Sequence, residues 1–318
     1  MKHALALLAL LAAAPAMAQL VKAPPPDFLS EQARRELAAN DARPAEPSDM
    51  AGRRARSEAI QQEIGQRRLA RLGVRMTEAT VAGVPVRIFE KGNPPAGAPL
   101  LLNLHGGGFV VDSGSITENI HIAALTGWRV VAVRYRLIPE HPFPAAVDDA
   151  LAVYRALLAE RPGRRIGLYG TSAGAILSAQ LIARLRAEHL PLPAALGFFS
   201  GSADLSRPGD SLTLFGDPRM AGGLVALYAG KASPADPLFA PLNGDLSGWP
   251  PTLCVTSGRD ILLSATADFC RKLDAAGTPQ TMLLYDGLPH AFWSYIDSPE
   301  TDDAFAAMAR FLKARLAK

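Results

Sequence analysis

Cysteine is scarce in this chain. Only Cys254 and Cys270 occur in its 318 residues, and no spacing of histidine with cysteine suggests a metal site. Charge of one sign is also lacking: 33 Lys and Arg face 30 Asp and Glu. With no clustered basic stripe, nothing points to a nucleic-acid partner. Arg53-Arg54-Ala55-Arg56 and Arg67-Arg68 read as a solvated helix face. The apolar run at residues 4–14 is too short to span a bilayer, so no stable membrane anchor is expected. No Lys-Ser/Thr follows the triple glycine at 106–108 and no G-x-G-x-x-G is present, which excludes the usual phosphate and dinucleotide loops. Internal repeats are absent too. What remains is a chain with 49% hydrophobic residues, enough for a sizeable core.

The first residues carry a targeting pattern. Met1-Lys2-His3 is a short positive region, residues 4–14 are apolar, and Ala16-Met17-Ala18 is an A-x-A cleavage site. Residues 1–18 are therefore expected to be a signal peptide, cut after Ala18, with export to a periplasm or the medium. An exported protein can oxidise its thiols. Cys254 lies on an expected buried strand and Cys270 on a helix beyond it, however, so two separate buried thiols are expected rather than a disulfide.

The richest signal is Gly170-Thr171-Ser172-Ala173-Gly174. It follows a short apolar run, residues 165–169, and opens an apolar helical stretch, residues 175–186. Strand, G-x-S-x-G, helix is the context of a nucleophile elbow, in which the serine sits on a sharp strained turn. A Cβ at either flanking glycine would collide with the neighbouring strand or helix. A second glycine-rich turn, His105-Gly106-Gly107-Gly108, follows the apolar run 99–104. Its backbone N–H groups, with that of the residue after the serine, can form an oxyanion hole.

A base and an acid should follow the serine in the order acid, then histidine. The histidines after Ser172 are His189, at the polar end of a helix, and His290, in a loop just beyond the apolar run 280–285. His290 is the candidate base. For the acid, Asp260 ends an expected buried strand, residues 251–259. Asp204, Asp210, Asp217, Asp236 and Asp245 lie in Pro/Gly-rich sequence before that strand, Asp268 and Asp274 on a helix after it, and Asp286 close to His290. The strand-end position favours Asp260, with Asp286 the alternative.

Together with Tyr135-Arg136-Leu137-Ile138-Pro139-Glu140-His141-Pro142-Phe143-Pro144-Ala145 and His290-Ala291-Phe292, these motifs resemble the hormone-sensitive-lipase family of α/β-hydrolases, the bacterial family IV esterases. The resemblance covers the chain from about residue 70 onward. It implies Ser172 as nucleophile, His290 as general base and acid, Asp260 as the orienting acid, and the N–H groups of Gly107, Gly108 and Ala173 as the oxyanion hole. Gly106 would mainly serve the turn. Thr171 stands where many members carry Asp, as in the GTSAG branch; Asp260-Ile261-Leu262 stands for Asp-Pro-Leu, and Ala291 for a frequent Gly. Residues 228–242 look most like members that hydrolyse small esters and lactones. The 135–149 stretch reads as a structural corner, so Glu140 and His141 are not placed among the catalytic residues.

The expected fold is an α/β-hydrolase: a mostly parallel sheet with helices on both faces and a helical cap. Residues 19–76 are expected to hold N-terminal cap helices, and residues 77–318 the catalytic domain, with a cap insertion at about 202–246. A hairpin is expected at 77–90 around Gly83. The implied function is hydrolysis of short- to medium-chain carboxylic esters or lactones through an acyl-enzyme, without a cofactor. The partner is a small molecule, and a homodimer is left open. The competing readings are a non-catalytic small-molecule-binding protein on the same fold, or an amidase or peptidase.

Overall fold

The computed structural model describes residues 24–316. The expected signal peptide, residues 1–18, lies outside them. Eight strands form one sheet: β1 (Arg75–Val81), β2 (Val84–Glu90), β3 (Leu100–Leu104), β4 (Arg129–Val133), β5 (Ile166–Thr171), β6 (Ala195–Phe199), β7 (Thr252–Arg259) and β8 (Gln280–Pro289). Their order is β1-β2-β4-β3-β5-β6-β7-β8. The expected hairpin is present, with β1 antiparallel to β2 through Val81 opposite Val84. β2 also runs antiparallel to β4, and every later pairing is parallel.

The inner strands are apolar without alternation because both faces are covered. Leu100, Leu102 and Leu104 of β3 face one core and Leu101 the other, the period of two that a pleat imposes. Of the helices, α1 (Glu31–Asp41), α2 (Met50–Leu72), α3 (Ile120–Thr126), α4 (Ala145–Glu160), α5 (Ala173–Ala187), α6 (Asp210–Phe215), α7 (Pro218–Ala229), α8 (Leu263–Ala275) and α9 (Pro299–Leu316), α4, α5 and α8 bury Val147, Leu177 and Phe269 on the first face. α1, α3 and α9 bury Leu37, Ile120 and Phe305 on the second. β6, α3 and α6 go beyond the sequence expectation.

The N-terminal helices dock on the core loops. Ser30 Oγ caps α1 and also donates to Glu300 of α9. On α2, Arg54 donates to the carbonyls of Val110 and Ile138, and Arg68, expected on a solvated face, is instead buried, because it pairs with Asp297 at 2.8 Å and donates to the carbonyls of Trp293 and Ile296.

A second expectation is corrected. Cys254 and Cys270 are joined in a disulfide. The sequence places them on different elements, but α8 packs directly on β7 and brings the two Cα atoms to 6.5 Å, within bridging range. Both cysteines are buried, as expected; their separateness is what the packing overturns.

Candidate active site

The parallel strands end on one edge of the sheet, and all the singled-out residues follow those ends. The glycine turn follows β3, Ser172 follows β5, Asp260 follows β7 and His290 follows β8. This edge is where open α/β sheets bind ligands.

At the elbow, Ser172 takes φ 57° and ψ −121°, a left-handed conformation that strains a non-glycine residue. Its N–H is held by the Phe199 carbonyl of β6 at 2.9 Å. The flanking glycines are needed for space. A Cβ on Gly170 would lie 2.3 Å from the Gly174 carbonyl oxygen, and one on Gly174 would lie 1.8 Å from that of Leu104. The turn is thus wedged between β3 and the start of α5.

The three chemical side chains form one hydrogen-bonded line. Ser172 Oγ is 2.8 Å from His290 Nε2, and His290 Nδ1 is 2.6 Å from Asp260 Oδ1. Asp260 is fully buried. Its Oδ1 also accepts the Leu262 N–H at 2.7 Å; its Oδ2 accepts the hydroxyls of Thr256, at 2.7 Å, and Ser200. Burial alone would push this carboxyl up. The His290 ring beside it and the hydrogen bonds from His290, Ser200 and Leu262 prevail and hold it below the usual carboxylate range.

The other candidates lie elsewhere. His189 is exposed beyond the C-terminal end of α5. Asp286, the alternative acid, turns back on its own backbone and accepts the Gly287 N–H at 2.8 Å. Asp204 and Asp236 accept the N–H groups of Ser206 and Leu238 two residues on, and Asp245 pairs with Arg186.

The glycine turn packs against the serine: a Cβ on Gly106 would lie 3.4 Å from that of Ser172. Gly107 has φ 119°, and a Cβ there would lie 2.0 Å from the Val111 carbonyl oxygen, so only glycine fits. Its own carbonyl accepts the N–H groups of Val110 and Val111. None of the N–H groups of Gly107, Gly108 and Ala173 donates to another described residue. Gly108 and Ala173 line the same cavity as Ser172; Gly107 lies one residue behind its wall.

That cavity has a volume of about 350 Å³. Its walls are mostly apolar: Phe109, Ile176, Leu205, Leu212, Leu224 and Tyr228. Residues 202–228 supply most of them, from α6, α7 and the loop before them, and none comes from residues 24–72. The Phe109 and Tyr228 rings stack 3.7 Å apart. The 135–149 stretch contributes no lining residue. Instead the Tyr135 hydroxyl donates to the His105 carbonyl at 2.6 Å and Glu140 pairs with Arg54 at 2.7 Å. Among the described residues, no cluster of three or more His, Cys, Asp or Glu could hold a metal ion. No helix among them is long and apolar enough to cross a membrane.

Sequence reasoning missed the residues behind the line. Ser200 lies just past β6 and Thr256 within β7, and nothing in their local pattern marks them as partners of Asp260. Trp293, fully buried, donates from its indole to the Thr171 hydroxyl at 3.3 Å.

The chain is similar to known proteins in sequence and in fold. The family described as alpha/beta hydrolase fold matches residues 101–294. An acetyl-hydrolase of Streptomyces hygroscopicus is 35% identical over 225 residues, covering 67% of this chain and 75% of its own. The crystal structure of an esterase E25 superposes with a TM-score of 0.80 at 31% identity, over 92% of this chain and 97% of that one. An esterase from the bacterial hormone-sensitive lipase family superposes with a TM-score of 0.78 at 30% identity, over 90% of this chain and 99% of that one.

Proposed function

We propose a mechanism from a fixed premise: this chain belongs to the α/β-hydrolase fold family, among its carboxylic ester hydrolases. Ser172 is the nucleophile. As its Oγ attacks the ester carbonyl, His290 Nε2 takes the proton, and the imidazolium that forms is stabilised by the ionised Asp260 at Nδ1. The carbonyl oxygen turns negative and is met by the N–H groups of Gly107, Gly108 and Ala173. Donors of this kind each contribute about 10²–10³ in rate. His290 then protonates the leaving alcohol, and water repeats the cycle on the acyl-enzyme. The observation that carries this reading is the Ser172–His290–Asp260 line, with contacts of 2.8 and 2.6 Å, opening into an apolar cavity.

The substrates are short- to medium-chain esters or lactones. A cavity of about 350 Å³ is at the small end of the range for ligand sites, and the acetyl-hydrolase relative supports a small acyl group. Residues 202–246 act as a cap that sets the acyl pocket; residues 24–72 brace the loops beneath it. The protein is exported: the leader pattern of residues 1–18 supports this, and so does a disulfide suited to an oxidising compartment.

The test is intact mass after exposure to a fluorophosphonate, with Ser172→Ala as control, followed by turnover of p-nitrophenyl acetate, butyrate and octanoate and of a lactone. A single adduct that Ser172→Ala abolishes, with loss of ester turnover in the variant, is expected. A variant that keeps near-wild-type turnover would overturn the assignment of Ser172.

A further inference from the structure

Behind the glycine turn lies a buried carboxylic group that the reaction above does not use. Glu118 is 2% exposed and sits just before α3. Its Oε1 accepts the Gly106 N–H at 3.3 Å and its Oε2 accepts the Asn103 side-chain amide at 3.2 Å. Gly114 leaves it room: a Cβ there would lie 1.8 Å from Oε1. The peptide joining His105 to Gly106 is therefore held at both ends, its carbonyl by Tyr135 at 2.6 Å and its N–H by Glu118. That peptide begins the turn.

We infer that Glu118 is a positioning residue for this reaction: its carboxyl ties the first peptide of the glycine turn to Asn103 of β3, and so sets where the Gly107 and Gly108 N–H groups stand relative to Ser172. The inference rests on the reading of Ser172 and the glycine turn given above. Glu118 makes no ion pair among the described residues, and burial, with Asp112 nearby, pushes its carboxyl up to about 8. At neutral pH it is a carboxylic acid. It keeps acceptor capacity for Gly106 and Asn103. Ionisation would put an unpaired charge in the protein interior.

The groups facing it leave Glu118 as the one that titrates in this region near pH 8. Burial pushes the hydroxyls of Tyr135 and Tyr169 well above 10. Burial of Asp112 is outweighed by His105, Ser115 and Arg87, which hold it below the usual carboxylate range. Burial also pushes the His105 ring below the usual imidazole range.

The experiment compares kcat and KM for p-nitrophenyl butyrate across roughly pH 6 to 10 in the wild type, Glu118→Gln and Glu118→Ala, within the range where circular dichroism is unchanged. A separate sample of each protein is labelled with fluorophosphonate to show that Ser172 is reactive. The expected wild-type kcat falls at least tenfold above about pH 8. Glu118→Gln, neutral at every pH, should lose this alkaline limb and keep more of the neutral-pH kcat than Glu118→Ala, with its oxygen on the Gly106 N–H and its NH₂ against the Asn103 amide. Glu118→Ala should lower kcat about 10²-fold, the usual effect of a displacement near 1 Å, with KM within about threefold because the acyl cavity is untouched.

A wild type with no alkaline fall in kcat, or a Glu118→Gln profile that keeps the fall, overturns the inference, and the wild-type profile needs no variant to fold. Failure of the underlying reading looks different: the wild type itself would take no label at Ser172 and turn over no ester.

Discussion

Replacing Asp260 by Asn isolates the charge of the buried carboxylate from its shape. Oδ1 accepts the Leu262 backbone N–H as well as the His290 Nδ1–H, and a backbone donor cannot rotate away. An amide NH₂ on that side would meet two donors. The amide must therefore keep its oxygen toward His290 and Leu262 and turn its NH₂ toward the hydroxyls of Ser200 and Thr256, which can rotate to accept. The histidine keeps its orientation, and only the attraction between carboxylate and imidazolium is lost. With charge centres about 4 Å apart and an effective dielectric near 20, that attraction is about 4 kcal/mol, so kcat should fall about 10³-fold. KM should stay within about threefold, since Asp260 does not line the cavity. The assay is steady-state kinetics on p-nitrophenyl butyrate near neutral pH with a thermal melt beside it. The wild-type carboxyl, held below its ordinary 3.8, is ionised throughout. A kcat within tenfold of wild type would refute the electrostatic role. A comparable loss accompanied by unfolding would make Asp260 a structural residue, the result expected instead of Asp260→Ala, which leaves the donors of Ser200, Thr256 and Leu262 unsatisfied at about 1–3 kcal/mol each.

Two further outcomes follow from the packing. Reducing the Cys254–Cys270 bridge, whose partners are 16 residues apart, should destabilise the fold by about 3 kcal/mol and lower Tm by about 6 °C, while the unreduced, denatured protein should titrate no free thiol; a thiol count near two would remove the disulfide. In the apolar cavity each added acyl methylene should raise kcat/KM about fourfold until the cavity wall is met, after which Leu224→Ala should move the optimum to longer chains. An optimum that stays at the same acyl length in that variant would take Leu224 out of the acyl pocket.

The sheet and the line of site residues were legible because each leaves a local mark. Continuous apolar runs such as residues 100–104 and 166–169 mark strands covered on both faces. The two motif glycines mark a turn where a Cβ would strike Leu104 or Gly174. Asp260 was separable from Asp286 by its place at the end of a buried strand, and the structure gives the reason: the end of β7 faces the loop that carries His290, whereas Asp286 still lies on β8, with its carboxyl bonded to the Gly287 N–H. The cysteines show the limit. Their pairing depends on how closely α8 docks on β7, a distance that no pattern within either element encodes.

The same limit explains why the holders of the site were invisible while its reacting groups were not. A nucleophile elbow is a backbone problem, solved by glycines at fixed offsets, so it shows in five consecutive residues. Satisfying a buried carboxylate is a problem of whatever donors the neighbouring elements bring. Asp260 is served by Ser200 from beyond β6, Thr256 from within β7 and Leu262 from the following turn, and Glu118 by groups from β3 and the glycine turn. Serine, threonine and asparagine at such places look like ordinary polar residues at strand ends. They become necessary only when the sheet brings their strands side by side around a carboxyl that water cannot reach, where each missing bond is expensive. The order β3-β5-β6-β7 is therefore part of the chemistry: it gathers on one edge the groups that hold the two buried carboxyls, one beside the histidine and one beneath the glycine turn.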